Sequence, residues 1–238
     1  MDTALIWFRR DLRVDDNAAL HHALASARRL HCVFVFDTDI LDPLPDRRDR
    51  RVAFIWHGVS ELRATLMRHG GDLRVLHGRA RRLIPELTSR LGADAVFAAR
   101  DYEPLARERD AAVAAALRKD GRELVLVKDQ VIFETNEILT AAGRPFHVFT
   151  PYKRAWLARV GEADLAAHPL EAHLARLAPP DTVAPPPSLE ALGFVASESP
   201  LLPGESGARA RFADFQRHIA QYANTRDTPA LDGTPRLS

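Results

Sequence analysis

Residues 1–149 predict an α/β fold built on a five-stranded, doubly wound parallel sheet. Three observations carry this. Short apolar runs recur at Leu5–Phe8, Cys32–Phe36, Leu73–Leu76, Ala95–Ala98 and Leu124–Val127, each with the length and composition of a buried strand. The segments between them space their apolar residues as helices do. Glycines stand where those helices should stop, at Gly70-Gly71 and Gly121. Strands alternating with helices require parallel pairing and right-handed crossovers, with helices on both faces.

The first strand lies in the apolar run at residues 3–8. It gives way abruptly to Arg9-Arg10-Asp11-Leu12-Arg13-Val14-Asp15-Asp16-Asn17. Asp15, Asp16 or Asn17 can cap the helix that follows, whose Leu20, Leu24 and Ala27 share a face. The sheet is Rossmann-like in its winding, but this turn lacks G-x-G-x-x-G, which disfavours an ordinary dinucleotide site. Between the second and third strands, Val52, Ile55, Val59, Leu62 and Leu66 mark a helix ended by Gly70-Gly71. Pro85 suits the first turn of a helix running on through Leu87 and Leu91. Leu105, Val113, Ala116 and Leu117 mark another, closed by Gly121.

Phe146 to Trp156 leads out of this domain, and residues 150–204 read as a connector. Eight of the sixteen prolines fall in residues 161–204, including Pro185-Pro186-Pro187. So long a connector is expected to wrap against a neighbour. A helix is expected from Glu205, with Ala208, Phe212, Phe215, Ile219 and Tyr222 on one stripe. That stripe has no obvious partner in the chain, so residues 205–238 read as the start of a helical domain that continues elsewhere.

At 238 residues and 46% hydrophobic, the chain can bury a large core. The lone cysteine, Cys32, excludes a disulfide framework and fits a reducing, cytoplasmic setting. Neither a signal peptide nor a membrane-length apolar segment is visible, so no membrane partner is expected. Net charge is +1; residues 161–204 hold six acidic residues and one basic, net −5, leaving +6 on the remainder. That is a mild basic balance for a nucleic-acid surface. The ten histidines show no H-E-x-x-H or paired metal spacing, and no metal or hydrolytic site is expected. Trp7, Trp56 and Trp156 read as packing residues.

In a doubly wound sheet, ligands bind beyond the carboxyl ends of the strands, where strand order reverses. With the first strand central, the reversal falls between the first and fourth. Their ends carry Arg9-Arg10-Asp11 and Arg100-Asp101-Tyr102-Glu103, a polar crevice suited to a hydrogen-bonding heterocycle. The alternative is a rim of ordinary surface ion pairs. The last residues, Gly233-Thr234-Pro235-Arg236-Leu237-Ser238, combine glycine, hydroxyls and arginine as a phosphate-holding loop does, and as ordinary loops also do.

Residues 7–20, WFRRDLRVDDNAAL, resemble the N-terminal motif of the photolyase/cryptochrome family along their whole length. The resemblance continues with Val148-Phe149-Thr150-Pro151-Tyr152. It ends with Tyr222, Arg226 and the Gly233–Ser238 loop, which is similar to the family's flavin-phosphate motif. It implies a photolyase N-terminal α/β domain, a connector and the first helix of a truncated all-α FAD domain. It also implies a flavoprotein lyase that binds damaged DNA, takes the damaged bases out of the stack to reach the flavin and splits cyclobutane pyrimidine dimers under blue light. Such a protein is expected to be a monomer when full length, and this chain to be an inactive N-terminal portion. The alternatives are a cryptochrome-like photoreceptor and a stand-alone nucleotide- or chromophore-binding module.

Mapped onto this sequence, the resemblance assigns Tyr222, Thr234, Arg236, Leu237 and Ser238 to FAD. Pro235 replaces the family's usual serine and removes up to two phosphate donors. For a light-harvesting antenna chromophore the implied residues are Arg9, Asp11, Phe36, Arg51, Asp101 and Glu103. Arg51 equally suits a solvated charge run, Arg47–Arg51. Folate-binding members resemble each other in Tyr-Glu-x-Asn-Glu, where this chain has Tyr102-Glu103-Pro104-Leu105-Ala106. A deazaflavin-type antenna is therefore expected over a folate. No catalytic residue is assigned.

Overall fold

The computed structural model describes residues 1–179, 185–197, 199, 201–228, 230–231 and 233–234. Five parallel strands, β1 (Thr3–Phe8), β2 (Arg29–Asp37), β3 (Leu73–Gly78), β4 (Ala95–Ala99) and β5 (Glu123–Val127), form one sheet in the order β3-β2-β1-β4-β5. The first strand is central, as expected: Ile6 pairs with Cys32 on one side and Phe97 on the other. Strand order reverses between β1 and β4, which places the crevice at their carboxyl ends.

Helix α1 (Ala18–Ser26) starts at Asn17, whose side chain accepts the Leu20 N–H at 2.9 Å. Of the three candidate caps, Asn17 is the one used. A short α2 (Thr38–Leu41) follows β2. Helix α3 (Arg50–Arg68) ends through Gly70, which takes φ +83, a conformation that suits a residue with no Cβ. Helices α1 and α3 bury Leu20, Leu24, Val59, Leu62 and Leu66 against Ile6, Cys32 and Phe34 on one sheet face. Helices α4 (Ala80–Arg90) and α5 (Pro104–Lys119) bury Ile84, Leu87, Val113 and Leu117 against Leu5, Trp7 and Val33 on the other. These contacts supply the hydrophobic stabilisation of the domain.

Two local expectations are corrected. Pro85 lies in the middle of α4, because the helix begins at Ala80, whose N–H is accepted by the Asp37 carboxylate at 3.2 Å. The buried row Ala80, Ile84, Leu87 and Thr88 outweighs the hydrogen bond a proline removes from the ladder. Leu105 is 77% exposed, and Ala106 occupies the inward position at the start of α5.

Beyond the sheet, α6 (Phe149–Arg159) buries none of its residues, and α7 (Glu162–Leu165) is a single turn. The connector then wraps back, as its length requires. Leu170, Leu177, Leu189, Leu192 and Phe194 enter the core on the α1/α3 face. Leu177 bridges to Leu30, and the Ala178 N–H donates to the Leu30 carbonyl at 2.8 Å. Trp7 is fully packed. Trp56 and Trp156 are only half-buried: Trp56 Nε1 donates to the Pro187 carbonyl at 2.8 Å, and Trp156 meets Phe133 edge-on at 5.5 Å.

The stripe expected on one final helix is divided. Helix α8 (Gly204–Gln216) ends before Ile219, which sits in a 3-10 turn, and Tyr222 opens α9 (Tyr222–Thr225). Phe212, Ile219 and Tyr222 are exposed. The first turn of α8 nonetheless docks on α3, where a Cβ on Gly204 would run into the Glu61 carboxylate. No helix among the described residues is long and apolar enough to cross a membrane.

Candidate functional site at the strand reversal

The crevice is built by three segments at the carboxyl edge of the sheet. The turn from β1 to α1 folds around Asp11, 3% exposed, which accepts the Arg9 N–H at 2.8 Å and Asn17 Nδ2 at 3.2 Å. Burial pushes its carboxyl above the ordinary range, against the lowering effect of those hydrogen bonds. The turn from β4 to α5 is pinned by Asp101, which accepts the Glu103 N–H at 3.2 Å. The segment after β5 supplies Asp129. Its carboxylate holds Arg13 through two hydrogen bonds of 3.0 and 2.9 Å and takes the Ala18 N–H at the start of α1 at 3.0 Å.

Arg10 bridges the reversal, with its guanidinium 3.7 Å from Asp101 and 3.0 Å from Glu103. On the α5/β5 side of Asp101, with no residue of β1 or its turn in its lining, lies a half-open cavity of about 360 Å³. Arg100, Asp101, Tyr102 and Glu134 form its polar wall, while Ala111, Ala114, Leu124 and Leu126 form an apolar slot. Asp110 Oδ2 and Tyr102 Oη line it as buried atoms with no hydrogen-bond partner of good geometry. Burial, with Glu134 nearby, pushes the Tyr102 hydroxyl up to about 12, so it stays a donor at neutral pH. The volume and mixed lining suit a flat, hydrogen-bonding ring.

The six antenna candidates do not all converge. Asp101 and Glu103 stand together on this rim, with Asp11 in the adjacent turn. Arg9 turns beneath it: its guanidinium meets Asp110 at 2.6 Å, bonds the Ala99 carbonyl and lies 4.9 Å from the Trp7 ring centroid. Arg109 reaches the same ring at 4.9 Å. Arg9 thus joins β1 to α5 within the fold. Phe36 is a core residue, 3% exposed and edge-on to Phe34 at 5.0 Å. Arg51 stays on the surface of α3, paired with Asp49.

Sequence reasoning placed Arg10 and Tyr102 at the crevice without giving them a role, and missed Asp110, Asp129 and Glu134. An acidic residue two positions past the fifth strand run was a readable sign for Asp129. The Asp110 position depends on which face of α5 turns inward.

Of the FAD candidates, Tyr222 is partly exposed, edge-on to Phe215 at 5.6 Å, with the Arg226 guanidinium 5.9 Å from its ring. Thr234 is half-buried, and Gly233 packs so closely on Thr225 that a Cβ would collide with it. Arg236, Leu237 and Ser238, with Pro235, lie outside the described residues.

The DNA photolyase family model matches residues 4–174. The chain belongs to that family. A Synechococcus protein named deoxyribodipyrimidine photo-lyase is 37% identical over 243 residues, which cover 98% of this chain and 49% of that protein. The chain thus spans about half the length of that photolyase relative. A shorter, uncharacterized 31.6 kDa protein from another Synechococcus strain is 36% identical, and the match covers 98% of this chain and 82% of it. Among solved family structures, a class III photolyase from Agrobacterium tumefaciens superposes with a TM-score of 0.82 at 28% identity, over all of this chain and 49% of that one.

Proposed function

We propose that this chain provides the α/β domain and the start of the flavin domain of a deoxyribodipyrimidine photolyase, a lyase that repairs cyclobutane pyrimidine dimers in damaged DNA with blue light. The observation that carries the reading is the Synechococcus photolyase match along 98% of this chain. Bound FAD supplies light-driven electron transfer to the dimer; the protein's share is to position and shield it. Here the donors that fit a flavin phosphate are the Thr234 hydroxyl and the Arg226 guanidinium beside Tyr222, with Arg236 and Ser238 from the sequence motif.

The strand-reversal crevice is the seat we assign to an antenna chromophore, with Asp101, Glu103 and Arg10 on its rim. Arg9 and Asp11 support it from below, while Phe36 and Arg51 stand further off. A deazaflavin type is favoured over a folate. Leu105 and Ala106 offer no acceptor side chains, whereas the Arg100–Tyr102 wall and the apolar slot suit a tricyclic ring. The protein acts in this reading as a monomer in the cytoplasm.

The test is survival of a photolyase-deficient bacterium that carries the natural gene. Rescue from ultraviolet damage under blue light but not in darkness supports the proposal, and equal survival in both overturns it. The uncharacterized 31.6 kDa relative, of which the match covers 82%, supports a second reading: a chromophore-binding module without repair activity. A natural polypeptide that retains a chromophore and rescues nothing would support that reading or the photoreceptor one.

A further inference from the structure

Four imidazoles from distant segments meet on the outer side of α1. His21 and His22, on α1, have ring centroids 5.6 Å apart. His168 of the connector lies 5.5 Å from His21 and 6.1 Å from His22, and His173 lies 6.5 Å from His21. Hydrogen bonds hold the segments together at this point. His21 Nδ1 is 2.7 Å from the Pro169 carbonyl, which can only accept, so that nitrogen carries a proton. The His168 N–H donates to the Asp16 carboxylate at 2.8 Å. Arg176 donates to the carbonyls of Leu24 and Ala25 at the end of α1, and Leu170 plugs into the core between these contacts. Among the described residues no group of three His, Cys, Asp or Glu side chains could hold a metal ion, so the cluster is not a metal centre as it stands.

We propose that these four histidines form a pH-sensitive clasp that fastens residues 166–176 to α1 and releases them when the imidazoles protonate. The charge balance sets the direction. The charged groups on these segments are Asp16, which accepts the His168 backbone N–H, Glu171, which accepts the Leu170 N–H, and Arg176, which donates to carbonyls at the end of α1. Asp15 is turned away to Arg209. A proton on one ring sets positive charge 5.5–6.1 Å from its neighbours among His21, His22 and His168, while the His21–Pro169 hydrogen bond stays in place. Burial, then the neighbouring His21 and His168, already hold the His22 ring below its ordinary value of 6.5. A group held down in the closed form binds protons more readily once open. The clasp is therefore tightest above pH 6.5 and weakens as pH falls through that value. Because Leu177 and Ala178 remain tied to β2, opening frees the connector locally without unzipping the sheet.

Amide hydrogen exchange of residues 166–176 tests the clasp, corrected for intrinsic rates and referenced to β1 so that global opening is subtracted. Between about pH 7.5 and about pH 5.5, relative protection should fall by at least about threefold and at most about tenfold, the limit for one imidazole that takes up no proton while the clasp is closed. In the His22→Asn/His168→Asn variant, which keeps polarity but takes up no proton there, the fall should shrink to about threefold or less, with protection at the higher pH retained. If the double variant folds poorly, His22→Asn alone, at a ring that is only partly buried, should still give a smaller fall than the parent. Equal protection at both pH values, or the same fall in parent and variants, overturns the proposal.

Discussion

Ser206 is bound to Glu61 twice, through its backbone N–H at 2.8 Å and its hydroxyl at 3.1 Å, so a carboxylate on α3 caps the first turn of α8. The helix leaving the sheet domain is thereby anchored at one end while its apolar residues stay exposed. Glu61→Ala should cost the docking of α8 about 1 kcal/mol. Hydrogen exchange along residues 205–216 should rise about fivefold relative to β1. Unchanged exchange would show that the cap does not hold α8.

Asp129 joins three elements of the crevice, bonding Arg13 and the first N–H of α1 from the segment after β5. Its side chain is 3% exposed, and its loss leaves the Ala18 N–H without its acceptor and the Arg13 guanidinium with only the Asp16 carbonyl. Asp129→Ala should lower unfolding free energy by about 3 kcal/mol in urea titrations. A loss below about 1 kcal/mol would mean that water replaces it readily.

Arg9 separates a structural role from a ligand-binding one. Its guanidinium serves Asp110 and the Ala99 carbonyl together, a fork that a lysine ammonium cannot reproduce. Arg9→Lys should destabilise the fold by about 2 kcal/mol and leave the absorption maximum of any bound antenna unchanged. A shifted spectrum with normal stability would return Arg9 to the ligand.

His31 sets an acid limit on the sheet domain. It is 8% exposed on β2, and burial, then Arg74 and Arg29, push its imidazole down from 6.5 to about 4. The unfolded chain binds the proton more readily, so stability is full above pH 6.5 and falls as pH drops from there toward about 4. The loss is at most about 3 kcal/mol. His31→Leu should flatten denaturation midpoints across that window, and an unchanged slope would place the acid sensitivity elsewhere.

If the Gly233–Ser238 loop holds the flavin phosphate as proposed, Pro235→Ser, made in the natural polypeptide, adds a hydroxyl and an N–H to it. FAD affinity should rise about tenfold by equilibrium dialysis. Equal affinity would show that neighbouring groups already satisfy the phosphate.

Much of the fold was legible. Five apolar runs separated by helical spacing, with right-handed crossovers, leave few ways to wind the sheet, and placing Leu5–Phe8 at the centre located the reversal of strand order between β1 and β4. Side-chain direction was less legible. Arg9 follows β1 directly, but its course depends on Asp110, 101 residues away, and on which face of α5 packs inward. Pro85 obeyed a buried row rather than its own preference for a first turn. The connector's return was expected from its length, but its anchoring through Leu177 and the meeting of His168 with His21 are tertiary facts that no local pattern records.

The most direct measurement uses purified natural polypeptide containing this sequence, loaded with FAD, and follows cyclobutane pyrimidine dimers in ultraviolet-irradiated DNA. The photolyase reading predicts that dimers disappear under blue light and persist in darkness. Retained flavin with no light-dependent loss of dimers would contradict it.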